Sequence, residues 1–205
     1  MAQDEQLFSD DDVVCSVREG KTQNFEILVN RYSKKIVNFV FSMMADYDEA
    51  QSISQEVFLK VYESLKRYKT ENNFQAFIFT IAKNLTLNYL KKQKKILSFS
   101  FFSPDEKSQD PLYSEEKQHQ LLEKHQQDEM LTAALKALNE NQRLALIMKV
   151  YLEFSYKQIA EITGWSIPKI ETLISRAKSN LKNELLSRDN LQEKDTINVL
   201  KVRHT

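Results

Sequence analysis

Residues 155–181 constrain this chain more than any other stretch. Ser155-Tyr156-Lys157-Gln158-Ile159-Ala160-Glu161-Ile162-Thr163-Gly164-Trp165-Ser166-Ile167-Pro168-Lys169-Ile170 reads as a helix, a tight turn and a second helix. Ile159 and Ile162 give the first helix an apolar edge, and Ala160 is small enough for the second to cross close by. Gly164 falls where the backbone must reverse, a position that favours φ > 0. Ser166 suits an N-cap, and Pro168 is tolerated in a first helical turn. Ile170, Leu173 or Ile174, Ala177 and Leu181 then recur at helical spacing. The opposite face carries Lys169, Thr172, Ser175, Arg176 and Lys178, with Glu171 as its one acid. A helical hairpin in an ordinary bundle would share the apolar spacing. The basic outer face instead suits a helix-turn-helix whose second helix enters the major groove of DNA.

Only two glycines and three prolines occur in 205 residues, and Pro104 and Pro111 lie close together near the middle. The chain is therefore expected to be all-α, as two small helical domains joined by a flexible linker, the second containing the helix-turn-helix. The expected boundaries are 1–97 for the first domain, 98–128 for the linker, 129–187 for the second domain and 188–205 for a tail. Lysine plus arginine equals aspartate plus glutamate at 29 each, so only the distribution of charge is informative. Residues 25–97 carry net +5 and residues 131–187 net +3, around an acidic segment 98–130 of net −5. Two basic blocks with an acidic spacer suit two modules that touch one polyanion.

Along the first domain, residues 1–24 are acidic and receive no function, although a helix is expected from about Asp10. Phe25, Leu28, Val29, Tyr32, Ile36 and Val40 then form one helical stripe. A second helix follows the acids Asp46, Asp48 and Glu49 and runs to about Lys66, with Ala50, Ile53, Val57, Val61 and Leu65 inward. Its outer face is Gln51, Ser52, Gln55, Glu56, Lys60 and Glu63. A third helix buries Phe74, Phe77, Ile78, Ile81, Ala82, Leu85, Tyr89 and Leu90. Between Lys66 and Lys95 there are eight bases and one acid, interleaved with Tyr68, Phe74, Phe77, Phe79 and Tyr89. Bases among aromatics suit single-stranded nucleic acid, though most of these phenylalanines also fit a core. Tyr68, in the polar loop 67–73, is the one best placed to stack on a base. In the second domain Asn139 is expected to cap a helix carrying Leu144, Ile147, Met148 and Tyr151.

Other functions find no support in the residues. No glycine-rich phosphate loop, nucleophile elbow or singled-out carboxylate pair appears, so neither an enzyme nor a small-molecule substrate is expected. His119 and His125 are six apart, which is not a metal-ligand spacing on one helix face, and neither a metal site nor a cofactor is expected. The single Cys15 points to a reducing compartment, and the acidic start is the wrong sign for a signal peptide. The longest apolar run, Ile36 to Ala45, is too short to cross a bilayer, so a cytoplasmic location is expected.

Four strings in order give the chain a family resemblance. They are Phe25-Glu26-Ile27-Leu28-Val29-Asn30-Arg31-Tyr32, Asp48-Glu49-Ala50-Gln51-Ser52-Ile53-Ser54-Gln55-Glu56-Val57-Phe58, Phe74-Gln75-Ala76-Phe77-Ile78-Phe79-Thr80-Ile81-Ala82-Lys83-Asn84, and Ser155-Tyr156-Lys157-Gln158-Ile159-Ala160 leading to Ser175-Arg176-Ala177-Lys178. With the proline-broken linker between them, the chain resembles a bacterial RNA polymerase sigma factor of the extracytoplasmic-function (ECF) group. The resemblance implies two helical domains, regions two and four, that bind core RNA polymerase, open promoter DNA at the minus-ten element and read the minus-thirty-five element. It implies polymerase docking at Ser52, Gln55 and Glu56. It implies minus-ten contacts from Tyr68, Lys83, Asn84, Lys91 and Lys92. Tyr156, Lys169, Glu171, Thr172, Ser175, Arg176 and Lys178 would then meet the minus-thirty-five element. An anti-sigma factor is the further partner it implies. Ser52 stands where the family often has aspartate, Phe77 for tryptophan, Asn88 for aspartate, and Lys169, Glu171 and Leu173 replace the common residues of the reading helix. The alternatives are a stand-alone helix-turn-helix regulator that binds duplex DNA without polymerase, and a helical interaction protein with no DNA affinity.

Overall fold

The apolar stripes expected over residues 25–95 fold against one another. In the computed structural model, which describes residues 8–69, 73–100 and 131–202, the described residues are helices and short connections. The first unit comprises α1 (Asp10–Arg18), α2 (Phe25–Met44), α3 (Tyr47–Ser64) and α4 (Phe74–Ser100), with 3-10 turns at Thr22–Asn24 and Leu65–Arg67. In the second unit residues 131–137 are helical, followed by α5 (Glu140–Leu146), a π-helical turn (Ile147–Tyr151), α6 (Tyr156–Thr163) and α7 (Ile167–Val202). α4 thus extends three residues past the expected boundary at 97. α7 continues through most of the segment expected to be a separate tail. The rest of the expected linker, with His119 and His125, lies outside the described residues.

Local chemistry sets the helix ends. Ser9 and Asp12 cap α1 reciprocally: the Asp12 amide donates to Ser9 Oγ at 3.1 Å, and the Ser9 amide to Asp12 Oδ2 at 3.0 Å. α2 ends on Ala45 with φ +57, after which Asp46 accepts from the Glu49 amide at 3.0 Å and starts α3. Asn73 accepts from the Gln75 amide at 3.0 Å at the start of α4. Asn139 caps α5, as expected, by accepting from the Asn141 amide.

Asp10 and Asp11 of α1 turn inward. Asp10 accepts from Arg31 at 2.8 Å and from the Tyr32 hydroxyl at 2.6 Å, while Asp11 accepts from the Tyr68 hydroxyl at 3.0 Å. Burial, with the Asp10 carboxylate beside it, pushes the Tyr32 hydroxyl pKa far up, so it stays a donor. At the other end of α1, Arg18 donates to the Leu65 carbonyl at 2.8 Å and to the Tyr68 carbonyl, closing the 3-10 turn after α3. Every inward residue expected on α3 is buried, as are Leu28, Tyr32, Ile36 and Val40 of α2.

The two units share a core. Phe79 on α4 lies off the apolar stripe expected for that helix, yet it is fully buried. Its ring meets Phe39 of α2 edge-on at 5.6 Å and Phe154 of the second unit at 5.0 Å. Arg143 of α5 is buried and donates to the Met43 carbonyl at 2.5 Å, in the last turn of α2. The same guanidinium donates to the Lys136 and Leu138 carbonyls at 3.1 and 3.2 Å. One cation thereby satisfies carbonyls at two helix ends, where the backbone lacks helical partners and the dipole favours positive charge. Asn38 donates to the Tyr151 hydroxyl at 2.7 Å, and Lys94 pairs with Glu140 at 2.7 Å at the rim.

Phe154→Ala is therefore expected to lower stability by about 3–5 kcal/mol in urea unfolding. A loss under about 1 kcal/mol would show that the two units do not share this core in solution.

Candidate nucleic-acid interface

The helix-turn-helix forms where the sequence places it. Ser155 and Gln158 make a capping box at the start of α6, with Gln158 N donating to Ser155 Oγ at 3.2 Å and Ser155 N to Gln158 Oε1 at 2.9 Å. Gly164 ends α6 at φ +71, and its amide donates to the Ala160 carbonyl at 2.8 Å. A Cβ there would meet nothing within 4 Å, so the backbone angle rather than crowding calls for glycine. Ile159, Ile162, Ile170, Ile174 and Ala177 are buried, which resolves the choice between Leu173 and Ile174 in favour of Ile174; Leu173 is half-buried.

That packing turns Lys169, Glu171, Thr172, Ser175, Arg176 and Lys178 outward, all exposed. The Lys169 ammonium stands 4.9 Å from the centre of the Trp165 ring, a contact that fixes its direction. The Thr172 hydroxyl donates to the Pro168 carbonyl at 2.8 Å. Tyr156 is half-buried, with the Lys149 ammonium 5.1 Å above its ring. Ile167, absent from the sequence-based set, is 45% exposed at the first position of α7.

A second polar surface runs along α4. Asn84, Asn88, Lys91 and Lys95 recur at helical spacing and are exposed, with Lys92 beside them. Lys83 points elsewhere: it is half-buried and donates to the Ile162 carbonyl at 2.8 Å, in the last turn of α6. Burial lowers the pKa of its ammonium. In this arrangement Lys83 is a tie between the two units rather than a free cation.

Tyr68 differs from its sequence-based reading. It lies in a connection, as expected, but is only 5% exposed, its ring against Phe77 at 4.9 Å and Phe74 at 5.6 Å. Burial and the Asp11 carboxylate raise the pKa of its hydroxyl. The physical reason is the reach of α1, whose Asp11 and Arg18 hold the tyrosine's hydroxyl and carbonyl from 57 and 50 residues away in sequence. With its ring packed in the core, Tyr68 has no face open for a base in this state.

On α3, Ser52, Gln55 and Glu56 are exposed together. Leu59, one turn further along the same face, is 65% exposed. The outer face expected from the sequence comprises only polar residues and does not include this leucine. Its signal was an aliphatic residue off the inward spacing of Val57 and Val61. Among the described residues, no group of three or more His, Cys, Asp or Glu could hold a metal ion.

The family model for sigma-70 region 2 matches residues 28–96, and the model for sigma-70 region 4 matches residues 128–181. The chain is 27% identical over 162 residues to the RNA polymerase sigma factor YlaC of Bacillus subtilis, covering 79% of this chain and 92% of that one. It is 26% identical over 195 residues to the ECF RNA polymerase sigma-E factor of Haemophilus influenzae, covering 88% and 97%. The chain belongs to the ECF sigma factors. Its fold is similar to that of the sigma factor RpoE of Bartonella quintana, solved with the anti-sigma factor NepR. The TM-score is 0.62 at 23% identity, over 80% of this chain and 97% of that one. In this sigma factor the exposed stripe of α4 and the surface of α3 lie in the region 2 unit, and the outer face of α7 lies in region 4.

The outward charges on α7 suit different tasks and can be told apart. Arg176→Ala is expected to weaken binding to all promoters alike and lower the salt slope by about one, as the loss of a cation that would neutralise phosphate. Glu171→Ala is expected to relax preference at one or two base pairs, by roughly 1–3 kcal/mol of discrimination. Binding across a randomised upstream element at two salt concentrations separates the two. Reversed outcomes would reverse the assignments.

Proposed function

We propose that this chain is the subunit that binds core RNA polymerase and directs promoter-specific initiation, with no catalytic step of its own. The observation that carries the reading is the pairing of region 2 and region 4 in one chain, each with a helix that exposes polar and basic residues. A stand-alone regulator reading duplex DNA would need only the helix-turn-helix. It would leave the region 2 unit, with its exposed Leu59 beside Gln55 and Glu56, unexplained.

In this reading Ser52, Gln55, Glu56 and Leu59 meet the polymerase, the apolar leucine supplying area and the polar groups fixing orientation. Asn84, Lys91 and Lys92 hold the minus-ten strand, joined by Lys83 once it leaves Ile162. Tyr68 contributes a stacking face only after its bond to Asp11 breaks. Tyr156, Lys169, Glu171, Thr172, Ser175, Arg176 and Lys178 face the minus-thirty-five element. An anti-sigma factor is a further partner, as for the Bartonella RpoE relative solved with NepR. No described helix is long and apolar enough to cross a membrane, and the reading places the work in the cytoplasm beside polymerase and DNA.

The reading requires the units to part. The two promoter elements are about 25 base pairs apart, or about 85 Å at 3.4 Å per pair. Here Lys83 touches the helix that precedes the reading helix. The packed chain therefore cannot occupy both elements at once, and promoter binding must exchange the Phe79–Phe154 contact for contacts with polymerase and DNA.

Run-off transcription with core polymerase and a library of promoter fragments tests the function. Addition of the protein is expected to create defined start sites. Gln55→Ala combined with Glu56→Ala is expected to weaken polymerase binding, with stability changed by no more than about 0.5 kcal/mol. Tight binding to one duplex site without polymerase, and no start sites with it, would favour the stand-alone regulator.

A further inference from the structure

The first turn of α7 presents an apolar edge where DNA-reading helices meet bases. Ile167 is 45% exposed, and Pro168 beside it is exposed. Thr172, one turn beyond Pro168, donates its hydroxyl proton to the Pro168 carbonyl at 2.8 Å, which leaves its methyl as the group not engaged by the helix. Lys169 is drawn to the opposite flank by the Trp165 ring. The interior of the helix-turn-helix is already filled by Ile159, Ile162, Ile170 and Ile174, so packing gives no reason for a branched aliphatic residue at 167.

A single exposed isoleucine is ordinary on a protein surface; its position is what distinguishes this one. In helix-turn-helix docking the N-terminal residues of the second helix contact base edges. Hydrogen-bonding side chains read guanine, adenine and cytosine there. Thymine alone of the four bases offers a methyl group in the major groove, and apolar side chains meet it. We propose that Ile167 reads the C5 methyl of a thymine in the upstream promoter element, with the exposed Pro168 ring beside it. The proposal rests on the promoter-binding reading above and adds a base class to it. Ile167 then selects A·T at its position by desolvation of one methyl, while Glu171 and Ser175 read their neighbours by hydrogen bonds. Removal of a methyl from water is worth about fourfold in binding.

The test uses holoenzyme assembled from the full chain and core polymerase, on the tightest promoter recovered from a randomised upstream element. Each thymine of that element, on either strand, is replaced in turn by deoxyuridine, which lacks only the C5 methyl. The unsubstituted chain is expected to lose about fourfold in promoter binding at one or two positions. Ile167→Ala is expected to bind the thymine template more weakly by a similar factor and to be indifferent to deoxyuridine at that position. Ile167→Val, which keeps a branched side chain, is expected to retain part of the sensitivity. A wild-type chain insensitive to every deoxyuridine overturns the proposal, as does a penalty that persists undiminished in Ile167→Ala. Failure of the underlying reading looks different: binding would not depend on the upstream sequence even before deoxyuridine is introduced.

Discussion

The contact between Phe79 and Phe154 is the one on which the arrangement of the molecule depends. Each unit has its own inward residues, but Phe79 sits between Phe39 and Phe154, so one aromatic cluster serves both. The polar ties around it are of a kind that water can replace. Lys83 and Arg143 donate to carbonyls at helix ends, and Asn38 meets the Tyr151 hydroxyl. Groups of this sort gain little net energy from pairing with each other rather than with solvent, but are costly to bury unpaired. The interface is therefore held by aromatic burial and made specific by its polar contacts.

That balance suits a protein with two partners of different kinds. Polymerase and promoter DNA can separate the units only by offering differential binding energy to the open form. The DNA contribution falls with salt, whereas an apolar contact at the exposed Leu59 of α3, in the proposed docking to polymerase, would not. Lys83 links the two, because the cation that ties the units together in the closed form is among those assigned to the minus-ten strand in the open one.

Much of the fold was legible because its signals are local. The turn at Gly164, the cap at Asn139 and the inward face of α3 each depend on residues a few positions apart, and each stands where periodicity and capping place it. What the sequence concealed was carried by distant contacts. Phe79 lay off the stripe expected for α4, and its partner in the second unit was not legible, because a helix's own stripe does not reveal that a second unit covers its other side. Arg143 sits between the polar start of α5 and the apolar run from Leu144, and nothing in the sequence marks its role, since its acceptors are backbone carbonyls, which carry no sequence signature. Tyr68 sat among polar residues, and its burial depends on Asp11 and Arg18 of a segment to which no function was attached. The outer face of α7 was legible except for Ile167, an apolar residue whose exposure follows from the turn geometry rather than from its type.

The central claim is that one chain closes on itself when free and spreads across two promoter elements when at work. The most direct measurement is the distance between Lys35 on α2 and Glu161 on α6, both exposed, each replaced by a labelled cysteine after the exposed native Cys15 is changed to serine. The account predicts a distance below about 40 Å in the free chain, rising to on the order of 80 Å in the polymerase–promoter complex, set by the spacing of the elements. A distance that stays below about 40 Å in a transcribing complex would contradict it.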